Sequence, residues 1–330
     1  MVRHTYAMTA QPAPRPRLRL VPDYRRAVAP LDDTELVRYY DVYSADGTRL
    51  RAWTNDTDGS LEAAGAPVVL LCNGLGTNPY SWPSLLSDEC AVRVISWNHR
   101  GTGGSDRPED RSRCGIPEFV EDALAVMDDA EIDACPLMGW SMGVNTMFEF
   151  AVEHPERVTG LFAVAGVPGE TFASMLAPLH IPRFVRAAIT INAARTMEFF
   201  GPVLSVISHQ IKWGPIAGEL ITHSGFMLPT PDVANTRRTV KELLSTPVEW
   251  YMHLAVATSS HLKVSLSKIN VPTSFVAGKW DVLASSHDMR TAADRIPDAE
   301  YIELRGSHFI GMEKPVEVYE LLLQLLDRVG

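Results

Sequence analysis

Short apolar runs alternate along the chain with longer stretches of helical spacing. Val68–Cys72 (VVLLC) is continuously apolar, as expected of a strand buried on both faces, and Val92–Trp97 repeats the pattern. Pro136–Trp140, Val158–Val164, Thr273–Ala277 and Glu300–Leu304 also read as strands. Phe119, Val120, Ala123, Leu124 and Met127 share one face of a helix predicted over Pro117–Asp129. Met142–Glu153, ending before Pro155, and Val316–Val329 read as further helices. Upstream, VRYYDVY and TRLRAW flank Ser44-Ala45-Asp46-Gly47 and predict an antiparallel hairpin, while Asn55 to Gly65 reads as a loop. Strands alternating with helices imply an α/β fold, with a mostly parallel sheet covered on both faces.

Residues 168–271 interrupt this alternation with no convincing strand. Their helical patterns are broken by Pro182, Pro202, Pro215, Pro229 and Pro247, and predict a helical cap inserted between two parts of an α/β core, 31–167 and 272–330. Charges are sparse from Thr171 to Pro231, where Phe172, Met175, Leu176, Phe184, Ile189, Ile191, Met197, Phe199, Phe200, Phe226 and Met227 recur. Most must pack the cap helices together; a minority are expected to line an apolar pocket. The first 30 residues are Pro- and Arg-rich without an apolar core, and read as a flexible leader, not a secretory signal.

Composition narrows the function. The 330 residues are 46% apolar and 21% charged, an ordinary globular balance, and a formal net charge of -10 argues against a nucleic-acid partner. Cys72, Cys90, Cys114 and Cys135 form no CxxC or CxxH pair, so no metal site is expected and reduced thiols in a cytoplasmic protein are. No apolar stretch approaches the ~18 residues of a membrane span. Oligomeric state is not readable.

The chemistry centres on Gly139-Trp140-Ser141-Met142-Gly143, a G-x-S-x-G sequence between an apolar strand and a helix. Small residues on either side of Ser141 allow a sharp elbow that lifts the hydroxyl to a helix N-terminus, where developing negative charge is favoured. A serine nucleophile needs a base, and the base an orienting acid. His308, in Gly306-Ser307-His308-Phe309, follows the last strand; His99 is its nearest rival, and His154 and the insertion's histidines (180, 209, 223, 253, 261) have bland packing or capping readings. Asp281, just after Phe275-Val276-Ala277-Gly278, is the candidate acid, with Glu170 as alternative. Asn73-Gly74-Leu75-Gly76 after the buried strand offers the Leu75 amide, paired with that of Met142, as an oxyanion hole. A dinucleotide turn there would need glycine at position 79, which is Pro79, so no cofactor is expected. Trp140, Trp280 and Phe309 flank these positions as candidate substrate contacts.

From about Val37 onward the chain resembles the α/β-hydrolase superfamily. Asn73 to Trp82 is similar to its oxyanion loop, Asn98 to Asp106 (NHRGTGGSD) to its R-G-x-G-x-S loop, and the segments around Ser141, Asp281 and His308 to its elbow, acid and histidine loops. The resemblance implies an eight-stranded sheet with a lid after strand six, and a serine esterase or lipase-like activity on a small ester or acyl substrate. Two positions depart from the pattern: Asn73 replaces a usual His, and Asn98 a frequent Asp. Relatives that open epoxides or displace halide attack through Asp, which Ser141 disfavours. Thioester or carbon–carbon bond hydrolysis by the same triad, or a non-catalytic binding module on this fold, are the alternatives.

Overall fold

The computed structural model describes residues 36–177, 181–210, 227–243, 245–261 and 264–330, without the side chains of 202–210. The leader expected over residues 1–30, and His180 and His223, lie outside the described residues. The apolar runs become strands β1 (Arg38–Tyr43), β2 (Arg49–Thr54), β3 (Val68–Cys72), β4 (Arg93–Trp97), β5 (Cys135–Trp140), β6 (Val158–Val164), β7 (Thr273–Gly278) and β8 (Ala299–Leu304). They form one eight-stranded sheet in the order β1-β2-β4-β3-β5-β6-β7-β8. The β1–β2 hairpin and the β2–β4 pair are antiparallel and the other pairings parallel. Gly47, at φ 81°, supplies the left-handed residue that the hairpin turn requires.

The longer helices are α1 (Ile116–Asp129), α2 (Met142–Glu153), then α3 (Arg183–Gln210), α4 (Val233–Leu243) and α5 (Val248–Thr258) between β6 and β7, and finally α6 (Ser286–Ala293) and α7 (Pro315–Val329), of which α1, α2, α6 and α7 cover the two faces of the sheet. On one face Val120, Met127, Met147 and Phe148 pack with Phe275, whose ring stacks on Phe148 at 5.7 Å. On the other, Val69, Met138 and Phe162 pack with Leu322 and Leu325. Burying each such side chain contributes about 1.5–3 kcal/mol. The segment Asn55 to Gly65, expected as a loop, holds one helical turn, Ser60–Ala63. The buried Asp56 carboxylate starts it by accepting the Leu61 and Glu62 amides at 3.1 and 3.0 Å.

Among the described residues no strand lies between β6 and β7. There α5 is keyed into the core by Trp250, whose indole N–H donates to the Arg100 carbonyl at 2.8 Å while Arg107 lies over its ring at 4.3 Å. Gly201 lets α3 close onto α5, since a Cβ there would stand 2.5 Å from the Glu249 Cα. Beneath the contact, the buried Arg100 forks onto Asp122 and reaches Asp46 in the hairpin turn. Burial opposes the Arg100 charge, but the two carboxylates more than offset it and raise its pKa above the ordinary arginine value. Burial would also raise Asp46, yet hydrogen bonds from Thr48 and the Arg100 guanidinium hold it well below the usual carboxylate range.

His99 occupies the same loop, edge-on to Phe119 at 4.6 Å, with its Nδ1 buried and without a partner. Burial pushes its pKa down to about 4. The unfolded chain, with histidine near 6.5, therefore takes up a proton first as pH falls. Stability is complete above about pH 6.5, drops between there and about pH 4, and this single group accounts for up to ~3 kcal/mol. Urea unfolding midpoints at pH 7.5 and 4.5 should fall much less in His99→Phe than in wild type; equal falls would show that His99 does not carry the effect.

Candidate active site

The elbow is built by close approach. Ser141 stands between β5 and α2 at φ 54°, ψ −117°, a conformation costly for a residue with a side chain. Its flanking glycines permit it: a Cβ at Gly143 would fall 1.8 Å from the Cys72 carbonyl oxygen, and one at Gly139 would fall 2.9 Å from the Gly143 carbonyl oxygen. The first turn of α2 is thereby pressed against the end of β3, where the Asn73–Gly76 loop begins. Ser141 N–H donates to the Val164 carbonyl at 3.0 Å, which ties the elbow to the neighbouring strand β6.

Three loops at the C-terminal ends of β5, β7 and β8 bring Ser141, Asp281 and His308 together. His308 Nε2 lies 2.7 Å from Ser141 Oγ, and His308 Nδ1 lies 2.9 Å from Asp281 Oδ2. A carboxylate only accepts, so Nδ1 carries the ring proton and Nε2 is left to accept from the serine hydroxyl. The second Asp281 oxygen accepts the Leu283 and Ala284 amides, both at 2.8 Å, which fixes the carboxylate. Gly278 allows the acid and histidine loops to touch, because a Cβ there would meet the Ser307 carbonyl at 2.3 Å. Asp281 and His308 are both 5% exposed, so the relay sits largely out of water.

The other histidines lie elsewhere. His99 is packed beside α1, His154 caps α2, His253 bridges Glu198 and the Arg111 carbonyl, and His261 faces Glu149. The backbone of His209 belongs to α3 and its side chain is outside the described residues. Glu170 is engaged with Arg183 at 3.2 Å.

Leu75 and Met142, the two positions singled out for oxyanion amides, share one buried apolar cluster with Ile116, Phe119, Phe172, Ala194, Trp250 and Leu254. No hydrogen bond among the described residues uses either amide. The Asn73 side chain does the work of its loop: Oδ1 accepts from Gly74 N and Trp82 Nε1, and Nδ2 donates to the Asn78 carbonyl at 3.2 Å. Of the three candidate contacts, Trp140 is buried and its indole donates to the His308 carbonyl at 3.0 Å, so it braces the histidine from behind. Phe309 is half-buried with its ring 5.8 Å from that of His308, while Trp280 is 49% exposed at the rim. Of the insertion's apolar residues, Phe172, Met175 and Ile191 join the cluster with Leu75 and Met142, while Phe184, Ile189, Met197, Phe199 and Phe200 are exposed and Phe226 lies outside the described residues.

Sequence reasoning missed Asn145 and Trp250. Asn145 Nδ2 donates to Thr171 Oγ1 at 2.7 Å and Oδ1 accepts from Gly169 N, holding the loop after β6 against α2. A lone amide on the apolar side of a helix is the signal that marks it.

Comparison with known proteins identifies the fold family. The profile of the alpha/beta hydrolase fold family matches residues 67–315. An epoxide hydrolase A of Mycobacterium tuberculosis is 25% identical over 328 residues, covering 86% of this chain and 96% of its own. A rhodomycin D methylesterase of Streptomyces is 27% identical over 295 residues, covering 81% and 91%. Among solved structures, a thermophilic esterase from Thermogutta terrifontis superposes with a TM-score of 0.65 at 20% identity, over 88% of this chain and 99% of its own. With its sheet order, elbow and matched span, the chain belongs to the α/β-hydrolase family.

Proposed function

We propose that this protein is a serine hydrolase that cleaves small, uncharged, lipophilic carboxylic esters through an acyl-enzyme on Ser141. The observation that carries the reading is the unbroken relay from Ser141 Oγ through both nitrogens of His308 to Asp281. His308 Nε2 takes the hydroxyl proton as Oγ attacks the ester carbonyl, and Asp281 stabilises the imidazolium that forms. The amides of Leu75 and Met142 receive the oxyanion. Return of the proton to the departing alcohol leaves the acyl-enzyme; water, activated by the same imidazole, releases the acid. None of these steps calls for a metal or cofactor.

The substrate class follows from what surrounds the oxyanion positions. Leu75 and Met142 pack in a buried apolar cluster with Phe119, Phe172, Ala194, Trp250 and Leu254, contributed by core and insertion, and such surroundings favour an acyl chain over a charged group. The insertion is thus read as a cap, with Phe309 and Trp280 as rim contacts. Similarity to a methylesterase and an esterase supports the ester class. The name of the epoxide hydrolase relative is not carried over to this chain, because the elbow presents the Ser141 hydroxyl, the attacking group of acyl transfer. Four free, buried cysteines suit a reducing, cytoplasmic setting, and no helix among the described residues is long and apolar enough to cross a membrane.

A panel of p-nitrophenyl esters of increasing chain length, with anionic esters and matched thioesters, tests the assignment. kcat/KM should rise from acetyl to medium-length acyl chains and be lowest for charged acyl groups. Best turnover on acetyl or anionic esters would overturn the lipophilic assignment, and a thioester preference would reassign the bond cleaved.

A further inference from the structure

Behind His308 lies a buried carboxylate that the proposed mechanism does not use. Glu313, in the helical turn Ile310–Glu313, is 7% exposed, and no cation pairs with it among the described residues. Instead three neutral donors converge on it. Ser307 N donates to Oε2 at 2.7 Å, Ser307 Oγ to Oε1 at 2.5 Å, and Leu228 N to Oε1 at 2.7 Å. Leu228 belongs to the segment leading into α4, beside the buried Met227. One carboxylate therefore joins the histidine loop to the insertion.

The neighbouring contacts show what this junction holds. Gly306 O accepts from Trp280 N at 2.9 Å, and His308 O accepts from the Trp140 indole at 3.0 Å. Ser307, between them, donates both its amide and its hydroxyl to Glu313, and its hydroxyl oxygen accepts from Phe309 N at 3.2 Å. A small rotation of this backbone would swing the imidazole away from Ser141, and a misplacement of about 1 Å can cost about 10²-fold in rate. We infer that Glu313 is a positioning residue that sets the His308 loop and couples it to the insertion. The inference rests on the triad reading above and extends it.

Glu313→Gln keeps the shape and replaces one acceptor oxygen by an NH2 group, which must then face a donor. Active sites are titrated with a fluorophosphonate, and turnover is expressed per titrated site. We expect kcat per site to fall about 10- to 100-fold with KM changed by less than about twofold. Amide hydrogen exchange at residues 227–229 and 306–309 should rise together. A merely structural role would reduce the number of titratable sites and leave turnover per site unchanged, and that result would overturn the inference. Should Glu313→Gln yield no folded protein, Ser307→Ala decides: it removes the hydroxyl that donates to Glu313 and accepts from Phe309 N, leaves the Ser307 amide on the carboxylate, and should lower turnover per site by about 3- to 10-fold, while unchanged turnover would again overturn it. A wild-type protein that does not react with the fluorophosphonate would instead refute the serine hydrolase reading itself.

Discussion

Ser141→Ala is expected to lower kcat for ester hydrolysis on the order of 10⁶-fold, with KM little changed and the fold intact. The hydroxyl is the only group that His308 Nε2 contacts at hydrogen-bond distance among the described residues, so its loss removes the attacking atom and empties the relay of its purpose. Binding contacts and the oxyanion amides survive the change, and a residual rate above water should come from them. Alanine also keeps a Cβ at φ 54°, so the elbow's strain is neither relieved nor increased. Loss of activity accompanied by an unchanged thermal midpoint is therefore the expected pair of results. Turnover within tenfold of wild type would remove Ser141 from the mechanism.

Asp281→Asn should cost about 10⁴-fold in kcat, for a reason visible in the hydrogen bonds. Asp281 Oδ1 is held by two backbone donors, Leu283 N and Ala284 N. An asparagine would keep its carbonyl oxygen on those amides and turn its NH2 toward His308 Nδ1. That nitrogen must then accept, the ring proton moves to Nε2, and Nε2 no longer accepts from Ser141. Packing is nearly unchanged, so the variant should fold and bind ester with little change in KM. A kcat close to wild type would mean that Asp281 does not set the tautomer, and attention would turn to other carboxylates near the histidine loop.

The parts of the fold legible in the sequence are those whose pattern is local. The run Val68–Cys72 is apolar at every position because β3 is covered on both sides, and the strand is found with those bounds. Met142–Glu153 is found as predicted because the glycine-flanked serine starts the helix and Pro155 stops it. The one-turn helix at Ser60–Ala63 escaped because its trigger is a buried aspartate five residues from the amide it receives, not a periodic apolar face.

The three residues of the candidate relay stood out by lying just beyond strands in a fixed chain order. Their supports did not, because each depends on elements distant in sequence. Nothing local says that Trp140 would turn its indole to the His308 carbonyl, 168 residues away, or that Glu313 would receive the amide of Leu228. The same holds for the insertion. Composition showed it to be apolar, but only packing separates Phe172, beside Leu75 and Met142, from Phe184 and Phe199, which face outward.

The most direct test is to treat the wild-type protein with a fluorophosphonate and locate the adduct by peptide mass spectrometry. One phosphonyl group per chain, on Ser141, forming rapidly in wild type and at a negligible rate in His308→Ala, is the predicted result. No adduct, or labelling that falls on another side chain, would contradict it.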